Sequence, residues 1–314
     1  MNFSLSSLPP GVSNSYSCAS TVGSPGEHLL GRRYSCGLRR WESVTVRRIG
    51  NRNHKLEKSR CRRLVVTACS LELPLLPFSV NEVLVPSESK VLHLYEARYI
   101  ALLEESLSGK KLFVHFVLDP IVLPGSSEGE SFAARYGCLV LVENVKKLEV
   151  GALVTIRGIC RVRILNFLQA EPYLRGLVTP QTDNVPQNPG VISSKVLKLN
   201  DSLRNLNAVE IKLKSPKESP LQTNTANSLT WVQKEVSMDC DERFIPSLAE
   251  RVSFAGYQSV TGSTQSELLK LQQEKLRAME WKETMRRLDR ALELVKDNTS
   301  LVAAKLAIQS LEIQ

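Results

Sequence analysis

From Val154 to Leu165 the chain alternates for twelve residues. Val154, Ile156, Gly158, Cys160, Val162 and Ile164 hold the even positions. Thr155, Arg157, Ile159, Arg161, Arg163 and Leu165 hold the odd ones. Side chains on a strand point to opposite faces in turn, so this pattern specifies a strand and excludes a helix. Its length exceeds the usual strand. Gly158 in its middle marks a bulge or bend, where a missing side chain lets a strand turn a corner.

Shorter strands surround it. Leu73–Phe78 is apolar with Pro74 and Pro77, which suits an edge strand. Val83–Val85, Val91–Leu94, Leu112–Leu118, Cys138–Val142 and Tyr173–Thr179 add more. One helix interrupts them, over Glu96–Leu107, with Tyr99, Leu102, Leu103 and Leu107 on one stripe and Gly109 as its stop. Gly125–Glu130 reads as an exposed loop. Many short strands with one early helix predict a small, mostly antiparallel β-barrel over 69–180.

The remainder, 181–314, reads as a helical subdomain. Pro180–Gly190 is a linker and Val191–Val209 a helix. Lys214–Thr230, with two prolines, is expected to be a mobile loop. Phe244–Tyr257 places Ile245, Leu248, Val252 and Ala255 on one helical face. Thr264–Lys296 reads as one long charged helix, and Asn298 or Thr299 as the cap of a last one. Trp281, Met285, Leu288, Leu292 and Val295 form a heptad seam, either packed within the bundle or open to self-association through helix 264–296.

The chain's charge lies outside this body. Residues 1–70 hold twelve Arg and Lys against three acids, which is the whole net charge of +9; the other 29 bases are matched by 29 acids. A nucleic-acid footprint must lie on the folded domain, so total charge argues for none here. The Ser-, Gly- and Arg-rich segment 1–68 has the composition of an organellar transit peptide. Met1–Gly26 carries no charge, which favours chloroplast over mitochondrion, and Val66-Thr67-Ala68-Cys69 reads as a stromal processing site. The longest apolar run, Cys138–Val142, is far too short to cross a bilayer. Cys138, Cys160 and Cys240 remain in the body, with no C-x-x-C pair, so neither a zinc site nor a disulfide framework is expected.

Leu73-Pro74-Leu75-Leu76-Pro77, Val83-Leu84-Val85-Pro86, Leu94-Tyr95-Glu96-Ala97-Arg98-Tyr99, Gly137, Gly151, Arg157–Ile164 and Pro172-Tyr173 occur in this order. Together they resemble the N-terminal, substrate-binding domain of Lon proteases. Phe244–Phe254 is similar to its helical half. The resemblance implies an α+β fold, a PUA-like β-barrel followed by a C-terminal helical bundle. Pro86-Ser87 departs from the Pro-Gly usual there, which leaves the turn's conformation open.

The chemistry of the rest of a Lon protease is not in the sequence. A P-loop needs G-x-x-x-x-G-K-[ST], whereas Gly109-Lys110 is preceded by Glu104 and followed by Lys111. Beyond the helical half the chain ends, so no peptidase is expected. Ser87-Glu88-Ser89-Lys90 matches S-x-x-K only by spelling. His93 and His115 sit in strand patterns and read as core histidines. No catalytic residue, cofactor or metal is expected.

The resemblance therefore implies a non-catalytic polypeptide-recognition module or adaptor of plastid protein quality control. Its partners would be client polypeptides and a chaperone or protease, with no membrane insertion. Candidate peptide-binding residues are Tyr95, Arg98, Tyr99, Phe244 and Phe254. A plainer reading makes Glu96, Arg98 and Tyr99 a structural tie between helix and barrel, so that Arg98→Ala costs thermal stability. The alternative function is RNA binding, as in other PUA-like barrels, through Arg157, Arg161 and Arg163 on one strand face. By default that face reads as a solvated surface paired with acids.

Overall fold

A computed structural model of the chain describes residues 70–121, 131–184, 188–214, 222–234 and 242–312. The transit-peptide reading of 1–68, the loop Gly125–Glu130 and Cys240 lie outside them. All the described residues belong to one compact unit.

Among the described residues six strands come first: β1 Leu71–Phe78, β2 Ser89–Leu94, β3 Leu112–Ile121, β4 Ser131–Lys147, β5 Ala152–Gln169 and β6 Leu174–Pro180. The single early helix, α1 Ala97–Ser108, lies between β2 and β3. The sheet order is β2-β5-β4-β3-β1-β6, and β5 also pairs with β6. The pairing of β5, β4, β3, β1 and β6 therefore returns on itself, leaving β2, among the described residues, with a strand on one side only. All pairs are antiparallel except β1 with β3.

β1 is not a plain edge. Its first half, Leu71–Leu75, pairs with β6, and its second half, Leu75–Phe78, pairs with β3. Pro74 and Pro77 thus each have a strand on one side only, which is where a residue without an N–H is tolerated. Val83–Val85 is buried but forms no strand. In α1 the fourth buried position is Ser106, whose hydroxyl donates to the Leu102 carbonyl at 2.8 Å; Leu107 is exposed.

β5 is an eighteen-residue strand with the expected bulge: Gly158 pairs with Val140 and Cys160 with Leu139, so Ile159 is the extra residue. The bulge reverses the parity of the faces. Ala152, Val154 and Ile156 enter one apolar cluster; Ile159, Cys160 and Val162 enter the other. Gly158 also lets Val83–Glu88 cross β5 closely, because a Cβ there would stand 2.3 Å from the Val85 carbonyl oxygen. The turn between β4 and β5 needs Gly151, at φ +81° and equally close to the Leu94 carbonyl.

The helices follow: α2 Pro189–Leu213, α3 Asn224–Gln233, a 3-10 turn at Glu242–Phe244, α4 Leu248–Ala255, α5 Gln265–Glu280 and α6 Thr284–Glu312. Asn188, Thr223, Ser247 and Thr264 cap α2 to α5 through their side chains. Three expectations need correction. Asn224–Thr230 belongs to α3 rather than to a loop, because Thr223 caps it and Leu229 and Val232 are buried. The segment from Phe244 is a 3-10 turn and a separate α4, whose buried face is Val252–Ala255 while Leu248 is exposed. The long helix breaks at Trp281 rather than near Asn298, and α6 runs unbroken past Thr299. The seam is spent inside the chain: Leu288 and Val295 are buried, and Met285 and Leu292 pack on the same core. No described helix is long and apolar enough to cross a membrane.

Candidate functional site

A cleft of about 470 Å3 opens between the edge of the sheet and α5. One wall is the chain after β1, Ser79–Val83, and the start of β2. The other is α5, with Leu268, Leu269, Leu271, Gln272 and Lys275. Asn224 of α3 and Gln258 after α4 complete it. Its volume is that of ordinary ligand pockets. The walls are tied together, since Val83 N–H donates to Gln272 Oε1 at 2.9 Å.

The charges in the cleft are matched. Lys275, almost fully buried, donates to Glu88 Oε1 at 2.6 Å, and Glu88 Oε2 accepts from Val85 N–H at 3.2 Å. Lys90 lies 3.6 Å from Glu82. Burial lowers the Lys90 ammonium against the pull of Glu82 and Glu88. Lys90 also stands over the Phe78 ring at 5.1 Å, and that ring stacks on His115 at 3.8 Å. His115 is buried, its Nε2 has no partner, and burial holds it well below the ordinary histidine range, with Lys90 adding repulsion. It is therefore a neutral core ring. Gln258 differs: it is 4% exposed, lines the cleft, and its Nε2 has no hydrogen-bond partner. The cleft is lined mostly by polar side chains, with the α5 leucines as its main apolar patch and its ammonium groups already paired. It suits a polar but uncharged chain.

The residues singled out from the sequence scatter. Tyr95 is half-buried beside His93, ring centroids 5.5 Å apart, and His93 Nε2 lies 3.2 Å from the Val150 carbonyl. Arg98 is exposed and bonds within its own turn, donating from Nε to Glu96 at 2.8 Å and stacking on the Tyr99 ring. It does not tie the helix to the sheet; the buried Tyr99 ring does that. Phe244 and Phe254 are also buried, in different clusters. Of the five peptide-contact candidates, only Tyr95 and Arg98 reach solvent, because the core claims the other three rings.

The RNA reading loses its basis. Arg157 and Arg161 lie on opposite faces, since the bulge intervenes, and both are buried. Arg157 donates to Glu143 at 2.8 Å, to Asn227 at 2.6 Å and to the Ser87 carbonyl at 3.0 Å. Arg161 bonds Asp183, Glu250 at 2.9 Å, and the carbonyls of Met279 and Trp281 at 3.2 and 2.7 Å. Only Arg163 of the three is exposed. Arg287 completes the Arg161 network, bonding Asp183, the Trp281 carbonyl at 2.8 Å and Ser253 at 2.8 Å. Burial and the neighbouring Asp183 raise the Glu250 carboxyl above its ordinary range.

Ser87 and Lys90 do not form a nucleophile pair. The Ser87 hydroxyl bonds the Ser228 hydroxyl at 2.7 Å, while Lys90 is turned to Glu82. Among the described residues no cluster of His, Cys, Asp and Glu could hold a metal ion. The cleft itself escaped sequence reasoning, because its ion pair Lys275–Glu88 joins residues 187 positions apart and no local pattern announces it.

Comparison with known proteins matches residues 72–307 to the ATP-dependent protease La (LON) substrate-binding domain. Among solved structures, the fold is similar to the N-terminal domain of a Mycobacterium avium complex Lon protease, at 13% identity and TM-score 0.41, over 72% of this chain and 99% of that one. It is similar also to a Lon N-terminal domain protein from Xanthomonas campestris, at 24% identity and TM-score 0.29, over 41% of this chain and 72% of that one. No curated protein matches the chain.

Proposed function

Because the chain belongs to the Lon substrate-binding domain family, we propose that it is a recognition module that holds unfolded segments of client polypeptides in the cleft between β2 and α5. The match over residues 72–307 carries this reading. The cleft supports the choice of place, since its paired lysines and free amide suit an uncharged main chain better than an ionic ligand. The ring of strands is then the family's PUA-like barrel, and the helices its second half. The match is to the substrate-binding domain, and in this reading the module grips its client without cutting it.

In this reading residues 1–68 direct the chain to the chloroplast stroma and are removed near Ala68. The mature protein serves as an adaptor that presents clients to a chaperone or protease. A mitochondrial address is the alternative. An intact Met1 in protein from tissue would overturn both addresses.

The test uses the full chain and fluorescein-labelled α-lactalbumin at moderate salt. The reduced, carboxymethylated form should bind and the native form should not. Leu269→Lys, at an exposed cleft position, should weaken binding. Equal binding of both forms, or tighter binding by Leu269→Lys, would mean attraction to charge and overturn the proposal. So would preferential binding of RNA with a steep salt dependence.

A further inference from the structure

Among the described residues β2 is the one strand with a strand neighbour on a single side, since there it pairs with β5 along Ser89–Leu94 and with no other. Ser89, Lys90 and Val91 all line the cleft. Neighbouring residues of a strand point to opposite faces, so a cleft that meets three in succession meets neither face alone. Over this first half of β2 it follows the strand's edge. Across it stand Leu268, Leu269 and Leu271 of α5, and Gln258, whose buried amide Nε2 has no partner, is also part of the lining.

We infer that the client segment is extended and adds to the sheet as a strand along the outer edge of β2. This rests on the recognition reading above and specifies its geometry. Lys90 and Lys275 are held by Glu82 and Glu88, so the cleft carries no net charge for a ligand to neutralise. An uncharged main chain, rich in both donors and acceptors, fits that balance. Its carbonyl oxygens take the Gln258 amide, and its amides and carbonyls extend the ladder. Alternate side chains then point toward the α5 leucines. Recognition of this kind reads chain extension and apolar alternation rather than a motif, and a folded or helical client is refused.

The experiment uses the full chain and a fluorescent Val/Thr-rich peptide in three forms: unmodified, N-methylated at odd residues, and N-methylated at even residues. Strand addition spends the donors of one parity only. One methylated form should therefore bind as well as the plain peptide, while the other loses roughly tenfold or more, as two lost main-chain bonds would give. Gln258→Leu and Leu269→Lys should each weaken the plain peptide. Leu269 is exposed enough for its variant to fold in any case. Equal tolerance of both methylated forms, with binding still sensitive to Leu269→Lys, overturns strand addition and leaves the cleft as the site. Binding indifferent to Leu269→Lys overturns the cleft itself.

Discussion

Ser87 shows how one residue can be wrong for its backbone and right for its place. Its φ of 72° lies in the left-handed region, which costs a residue with a Cβ about 1–2 kcal/mol. Its buried hydroxyl bonds Ser228, its N–H donates to the Gly158 carbonyl and its carbonyl accepts from Arg157. Ser87→Ala keeps the strain and strands the Ser228 hydroxyl, so it should cost about 1–3 kcal/mol in urea unfolding. Ser87→Gly removes both strain and bond and should come out nearer to neutral; the reverse order of the two variants would refute this account. The Pro86-Ser87 step was visible in the sequence as a departure, but not its remedy, because Ser228 and Arg157 are distant in the chain. His115 gives a second test. It is buried neutral, so the unfolded chain binds a proton more readily below the ordinary value of 6.5. Its contribution is full above that pH and is lost as pH falls, by up to about 1.4 kcal/mol per unit. His115→Phe, which keeps the stack on Phe78 and strands no bond at Nε2, should flatten the decline between pH 7 and 5. An unchanged slope would place the titration elsewhere.

Elements were legible where one local rule decided them. The alternation of Val154–Leu165, the bulge at Gly158 and the stop at Gly109 all follow from spacing and a missing side chain. The break between α5 and α6 was not legible, because Trp281, Lys282 and Glu283 are ordinary helix residues. The break is held from outside: Arg161 and Arg287 take the Trp281 carbonyl, and Arg161 also takes that of Met279. These are carbonyls that a helix end leaves unpaired. Nor does periodicity say whether a seam faces its own chain. Here Leu288 is fully buried in the core. Leu288→Ala should cost about 2–5 kcal/mol at any protein concentration. A loss that grows on dilution would assign the seam to self-association instead.

At the scale of the molecule, one buried network joins the sheet to the helices. Asp183, in the linker after β6, accepts from Arg161 of β5 and from Arg287 and Thr284 of α6, while Glu250 of α4 accepts from Arg161. The sequence hid this, since Asp183 sits in a Pro/Asn stretch that reads as a spacer. Removing one partner of a buried ion group leaves the others uncompensated. Asp183→Asn should therefore cost about 3–5 kcal/mol in urea unfolding. A loss under about 1 kcal/mol would show that the two arginines find other acceptors. Through the Met279 and Trp281 carbonyls the network also ties the end of α5 to the sheet.

Amide hydrogen exchange on the full chain, with and without reduced, carboxymethylated α-lactalbumin, tests the central claim most directly. Bound polypeptide should slow exchange along Ser89–Leu94 and the first turns of α5, while Tyr95–Ser108 and the exposed end of α6 stay unchanged. Protection confined to α1, to Arg163 and its neighbours, or to no segment at all would contradict it.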